Sequence, residues 1–214
     1  MRIFCATLFS IFVIVGAVPA HAQLQDVSEN RIQIYGAGAL MSPYAPERFS
    51  QPYHAGYGGT MGIGITLTPN WELSLKGSYT SLNLDEDGYR LFSPGSTTRP
   101  FNGGMQIYSA ELGLKYLIAI EGSWAPYFIA GVGAYHREEQ DIEVIIVEQS
   151  NTSMNGGSRT LQGGFAGFGL AYRIADPISA YVEPRYVATT SFGSVNDYMM
   201  DHASMQIGVL FNLF

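Results

Sequence analysis

Trp71-Glu72-Leu73-Ser74-Leu75-Lys76-Gly77-Ser78-Tyr79 and Tyr108-Ser109-Ala110-Glu111-Leu112-Gly113-Leu114-Lys115-Tyr116 each alternate between greasy and polar or small side chains. Successive side chains of a strand point to opposite faces, so each stretch presents one apolar and one polar face. Pair the two antiparallel, with Asn83 opposite Gly104, and Glu72 faces Lys115 while Lys76 faces Glu111. On the other face the same register sets Trp71 against Tyr116 and Tyr79 against Tyr108. The aromatic pairs are eight residues apart, which at about 3.3 Å per residue and a tilt near 40° climbs roughly 20 Å, the height of the apolar band between the aromatic girdles of an outer-membrane barrel. Ionised groups inside and hydrocarbon outside satisfy both faces at once. A soluble sandwich would need a second sheet to cover the aromatic face.

Working outward, Ala55 to Thr68 repeats the pattern, with Tyr57, Met61, Ile63, Ile65 and Leu67 on one face and glycine or threonine on the other. Further strands are expected over Tyr127–Arg137, Leu161–Ile174, Ile178–Thr190 and Ala203–Phe214, with a first strand near Arg31–Met41 whose facing is open, because Ile32, Ile34 and Leu40 alternate with Gln33, Tyr35 and Met41. That makes eight. In the last strand Met205, Ile207, Val209, Phe211 and Leu213 form the lipid-facing row, which turns Phe214 inward or into the rim. Pro184 removes a ladder donor, so a local bulge is expected there. The connections alternate long, short, long, short, long, short, long, with 42–54, 84–103, 138–160 and 191–202 the long ones, as in a membrane barrel whose termini are periplasmic. The fold expected is all-β: an eight-stranded antiparallel up-and-down transmembrane β-barrel.

The N-terminus reads as an export signal: Arg2, an apolar run from Ile3 to Val15, and the small-x-small site Ala20-His21-Ala22. Residues 1–22 are therefore expected to be a signal peptide and 23–214 the barrel domain, in the bacterial outer membrane after export. The only cysteine, Cys5, lies in the signal, so the mature chain has no disulfide. With 18 acidic against 11 basic residues, nucleic acid is disfavoured as a partner.

Pro126-Tyr127-Phe128-Ile129-Ala130-Gly131-Val132-Gly133-Ala134-Tyr135 resembles the fifth strand of the outer-membrane β-barrel domain family, which is similar to the transmembrane domain of outer-membrane protein A and to opacity-type proteins. Gly167-Phe168-Gly169-Leu170-Ala171-Tyr172-Arg173, the Asp176-Pro177 turn and Glu183-Pro184-Arg185-Tyr186 extend the resemblance over essentially the mature chain. It implies fold more than activity, since this fold hosts many functions. It also implies recognition by the barrel-assembly machinery during insertion.

Glu72, Lys76, Glu111, Lys115, Arg173, Glu183 and Arg185 are the candidate lumen charge network, and Trp71, Tyr79, Tyr108 and Tyr116 the membrane girdle. An eight-stranded barrel is just wide enough for its own side chains, so the charges are expected to plug the lumen; a small-solute or ion channel is the alternative. His202 and Ser204, two apart on one face, raise a second alternative, a lipid-modifying hydrolase. A rim histidine followed by a small lumen residue is the plainer reading. His54, His136 and His202 lack ligand spacing and Asp85-Glu86-Asp87-Gly88 lacks the later ligands of a calcium loop, so no metal or cofactor is expected. Specificity belongs to the long loops. Asp141 to Glu148 is strand-prone and could extend the flanking strands as a protruding hairpin, with two readings open: an edge that pairs with an external protein or surface ligand, or a plain hairpin extension with no partner. The function expected is structural or adhesive and non-enzymatic.

Overall fold

The computed structural model describes residues 32–85, 87, 98–101, 103–118, 122–146, 152–154, 156–190 and 199–213. The expected signal peptide, Cys5 and Phe214 lie outside them. Eight strands form the wall: β1 (Ile32–Ala45), β2 (Gly56–Thr68), β3 (Trp71–Asn83), β5 (Gly104–Leu117), β6 (Trp124–Glu139), β9 (Ser158–Ala175), β10 (Ile178–Thr190) and β11 (Asp201–Leu213). Each pairs antiparallel with its neighbours and β1 pairs with β11, closing the sheet and leaving no wall edge with unpaired backbone groups. One helical turn, α1 (Glu47–Ser50), follows β1. Three short strands, β4 (Thr98–Phe101), β7 (Ile142–Ile146) and β8 (Thr152–Met154), lie in the second and third long connections.

The register fixes the barrel's shape. Ile32 lies opposite Ile65, and the line continues through Leu73, Leu114, Ala130, Ala166, Tyr186 and Ala203 to Ser42, back on β1 ten residues above its start. Eight strands with a shear of ten tilt by about 40° and enclose a wall roughly 16 Å across, which side chains alone can fill. Along the axis each residue climbs about 2.5 Å and each step to the next strand about 3 Å, so every side chain can be assigned a height.

The facing of the first strand, open in the sequence, is resolved: Ile32, Ile34 and Leu40 are exposed on the outer surface, while Tyr35 and Met41 are buried inside. The β3–β5 register matches the sequence reading, including Asn83 opposite Gly104. The lipid-facing row of β11 also stands, with Met205, Ile207, Val209 and Phe211 exposed.

Two expectations are corrected. Pro184 makes no bulge: it keeps its place opposite Met205, and toward β9 the pairing resumes in the same register after Glu183 and Pro184. The missing N–H is absorbed as a gap in one ladder, not as an extra residue. Second, β7 is not a free edge. It is the middle strand of a separate sheet, with Thr98 opposite Ile146 on one side and Ile142 opposite Met154 on the other, so the second and third long connections are joined.

Candidate functional site: a filled lumen

The inward positions of the wall carry a stack of ionised side chains. At the lowest level, about 4 to 7 Å above Ile32 along the axis, Lys115 Nζ lies 3.0 Å from Glu72 Oε1 and donates to Tyr35 Oη at 2.7 Å. Tyr35 in turn donates to Glu72. The ammonium sits over the rings of Tyr35 and Tyr127, 4.5 and 4.7 Å from their centroids, an arrangement that offsets lost hydration. Gly64 makes this possible: a Cβ there would stand 2.6 Å from Glu72 Oε1 and 2.8 Å from Tyr35 Oη.

The next level, about 11 to 17 Å up, crosses the lumen. Lys76 Nζ donates to both carboxylate oxygens of Glu183, at 2.9 and 3.1 Å, and Tyr127 Oη donates to Glu183 at 2.9 Å. Gln206 accepts from Lys76 at 3.5 Å and donates to Thr60 at 3.2 Å. Arg185 Nη1 meets Glu111 at 2.5 Å, its Nε donates to Ser204 Oγ at 3.0 Å, and its guanidinium lies 5.3 Å from the Phe165 ring. Glu72 and Glu183 are 0% and Lys76 2% exposed. Charges this dry are tolerated only when paired. Lys76, Lys115 and Arg185 balance Glu72, Glu111 and Glu183.

Six of the seven expected network residues are thus together. Arg173 is not: it shares their face but sits at the periplasmic rim, its side chain 61% exposed and 3.9 Å from Asp176. The partners also differ from the sequence reading. Lys76 does lie opposite Glu111 in the wall, yet it bonds across the lumen to Glu183, leaving Glu111 to Arg185. Of the aromatic groups that line the cations, Tyr35 was left open in facing, and Tyr127 and Phe165 were missed; the signal of these two was the inward parity of bulky residues among the glycines of β6 and β9.

Above the ions lies an apolar lid. Leu82, Met105, Ile107, Leu161 and Val187 are buried from the wall, and Phe49 of α1 and Met200 of the last connection join the same cluster. The wall members Leu82, Met105 and Leu161 stand about 28 to 32 Å up, at the extracellular mouth. No alternation predicts this closure, because Phe49 and Met200 come from connections.

His202 and Ser204 point into the space between lid and ions. His202 Nδ1 is 3.4 Å from the Met200 carbonyl and its ring meets Tyr135 edge-on, while Ser204 accepts from Arg185. Both are buried and face away from the lipid side.

Outside, the wall strands show the belt. Trp71 packs on Tyr116 at 4.9 Å and Trp124 on Tyr172 at 4.6 Å; Tyr79 packs on Tyr108 at 5.3 Å. The first two pairs lie near the Ile32 level and the third about 20 Å higher. Between them Leu75, Leu112, Val132, Ile207 and their neighbours are exposed, a surface stable only against hydrocarbon.

A closed eight-stranded sheet, apolar outside and ion-filled within, defines a transmembrane β-barrel. Accordingly the chain belongs to the outer membrane protein β-barrel domain family, whose model matches residues 10–212. It is a bacterial outer-membrane barrel. Among solved structures, OprG of Pseudomonas aeruginosa is similar at 10% identity and a TM-score of 0.56, over 86% of this chain and 96% of that one. Neisserial surface protein A is similar at 15% identity and 0.51, over 86% and 96%. Ail, the attachment invasion locus protein of Yersinia pestis, is similar at 14% and 0.50, over 86% and 99%. At these identities the likeness is one of fold. A comparison with curated protein sequences found no match.

Proposed function

We propose that this chain is a non-conducting, non-enzymatic barrel whose role is structural or adhesive, with its extracellular connections as the interaction surface for an external protein or surface ligand. One observation carries the reading: the lumen is crossed by Lys76–Glu183 and Arg185–Glu111 and covered by Phe49 and Met200. A solute passing through would have to separate both of these dry ion pairs, each of which costs several kcal/mol to break. The separate sheet of β4, β7 and β8 supports the surface half of the reading, because it ties two long connections into one ordered platform. Trp71, Tyr79, Tyr108 and Tyr116 act as girdle residues at the two lipid interfaces, and the barrel-assembly machinery inserts the exported chain. The bond from Arg185 to Ser204 favours this reading over a hydrolase, since the hydroxyl is engaged away from lipid.

Planar-bilayer recording on the refolded protein tests the closed lumen. The expected trace shows no steady conductance step, and a persistent open level would overturn the reading in favour of a small-solute or ion channel. For the surface role, bacteria displaying a variant lacking residues 142–147 should adhere less to a matrix-protein-coated surface. Equal adhesion by a correctly folded variant would count against it.

A further inference from the structure

The outer wall is not uniformly rough. Along the closed register line, the outward residues on β1 to β5 are Ile32, Ile65, Leu73 and Leu114, whereas from β6 to β11 and back to β1 they are Ala130, Ala166, Tyr186, Ala203 and Ser42. Small residues on both sides of Tyr186 leave a groove of about 550 Å³ in the lipid-facing surface. Its floor is Ser42, Ala166, Pro184 and Ala203, and Phe168 and Met205 rise beside it.

Height decides what can lie there. From Phe168 to Ser42 the groove runs from about 11 to about 25 Å above Ile32, that is, from the middle of the apolar belt up to the level of Tyr79 and Tyr108. Its upper end therefore lies at the extracellular interface, beneath the Tyr186 ring that meets Tyr44 edge-on and whose hydroxyl donates to Asp201, and its lower end near mid-bilayer, a span that matches one hydrocarbon chain hanging from a headgroup. The groove is continuous with the belt that lipid already covers, and lipid is the most abundant neighbour in the plane. In hydrocarbon no hydrophobic gain favours one apolar contact over another, so selection works through close packing, and small residues permit the closest approach.

We propose that this groove seats one acyl chain of a lipid in the extracellular leaflet, an ordered site distinct from the exchanging lipid around the remaining wall. The chain takes the place of the missing ridge between Tyr186 and Met205.

The test uses the full mature barrel refolded in dimyristoylphosphatidylcholine nanodiscs, released into mild detergent and weighed intact by native mass spectrometry. The wild type should retain one phospholipid per chain. Ala166→Phe/Ala203→Phe, which fills the floor with side chains that suit a lipid-facing wall, should lose it. Ala130→Phe, an equal insertion on the same line but outside the groove, should keep it. Heat-dependent gel mobility verifies that each variant is folded. Equal lipid counts in the wild type and the filled variant, or loss of the lipid in Ala130→Phe as well, would overturn the proposal. A dimer mass for the wild type that the filled variant lacks would also overturn it, by assigning the groove to a second copy of the chain.

Discussion

Replacing Glu183 by glutamine removes a charge while keeping the shape, and it tests the balance of the lumen most directly. Lys76 Nζ has Glu183 oxygens at 2.9 and 3.1 Å, and its weaker contact is Gln206 at 3.5 Å. At 3 Å and an effective dielectric constant near 20, the pair is held by about 5 kcal/mol of Coulomb energy before desolvation. Because both partners are dry, most of that attraction offsets lost hydration. Losing the carboxylate should therefore cost about 3 kcal/mol, the order found when one member of a buried pair is removed. Replacing both, Lys76→Met with Glu183→Leu, should return the barrel to within about 1 kcal/mol of the wild type, since no stranded charge remains. The measurement is reversible urea unfolding from phospholipid vesicles, followed by the fluorescence of Trp71 and Trp124, the chain's two tryptophans. A Glu183→Gln loss below about 1 kcal/mol would place the pair among exposed, weakly coupled bridges. A double variant that falls by the sum of its two singles would refute the coupling.

Further outcomes follow from the same geometry. Leu112→Arg, exposed on the wall near the mid-height of the belt, should lose about 2–4 kcal/mol in vesicle unfolding, whereas Tyr116→Arg at the lower girdle should lose about 1 kcal/mol or less beyond its aromatic contact. Gly64→Val should lower stability in the same vesicle unfolding, because its Cβ would push the ends of Glu72 and Tyr35 away from Lys115, and an unchanged midpoint would disprove the crowding. Phe49→Gly should speed maleimide labelling of a cysteine placed at Leu82, which packs in the same lid cluster; an unchanged rate would mean Phe49 does not cover it.

Pairwise features were legible in the sequence. The alternation of Trp71–Asn83 against Gly104–Leu117 contained their register, since neighbouring strands must match faces along their whole length. What spans the lumen was not, because Lys76 and Glu183 lie on strands that never touch, and only the shear of the closed barrel brings them to similar height. Arg173 was misassigned for the same reason: parity gives the face but not the level. Tyr35 stayed ambiguous because both rows of the first strand are partly apolar, one meeting lipid and the other the lumen's aromatic groups and lid. The strand at Thr98–Phe101 was hidden by Pro100, a residue that in a strand belongs at an edge, and β4 is an edge strand of its small sheet.

The division of labour among the long connections bears on using this barrel to display foreign epitopes. Phe49 and Met200 cork the mouth, so insertions beside them risk uncorking the vessel. The pair that carries β4, β7 and β8 is knitted to itself, and a graft there should be exchanged as one cassette, both connections together, leaving the cork in place.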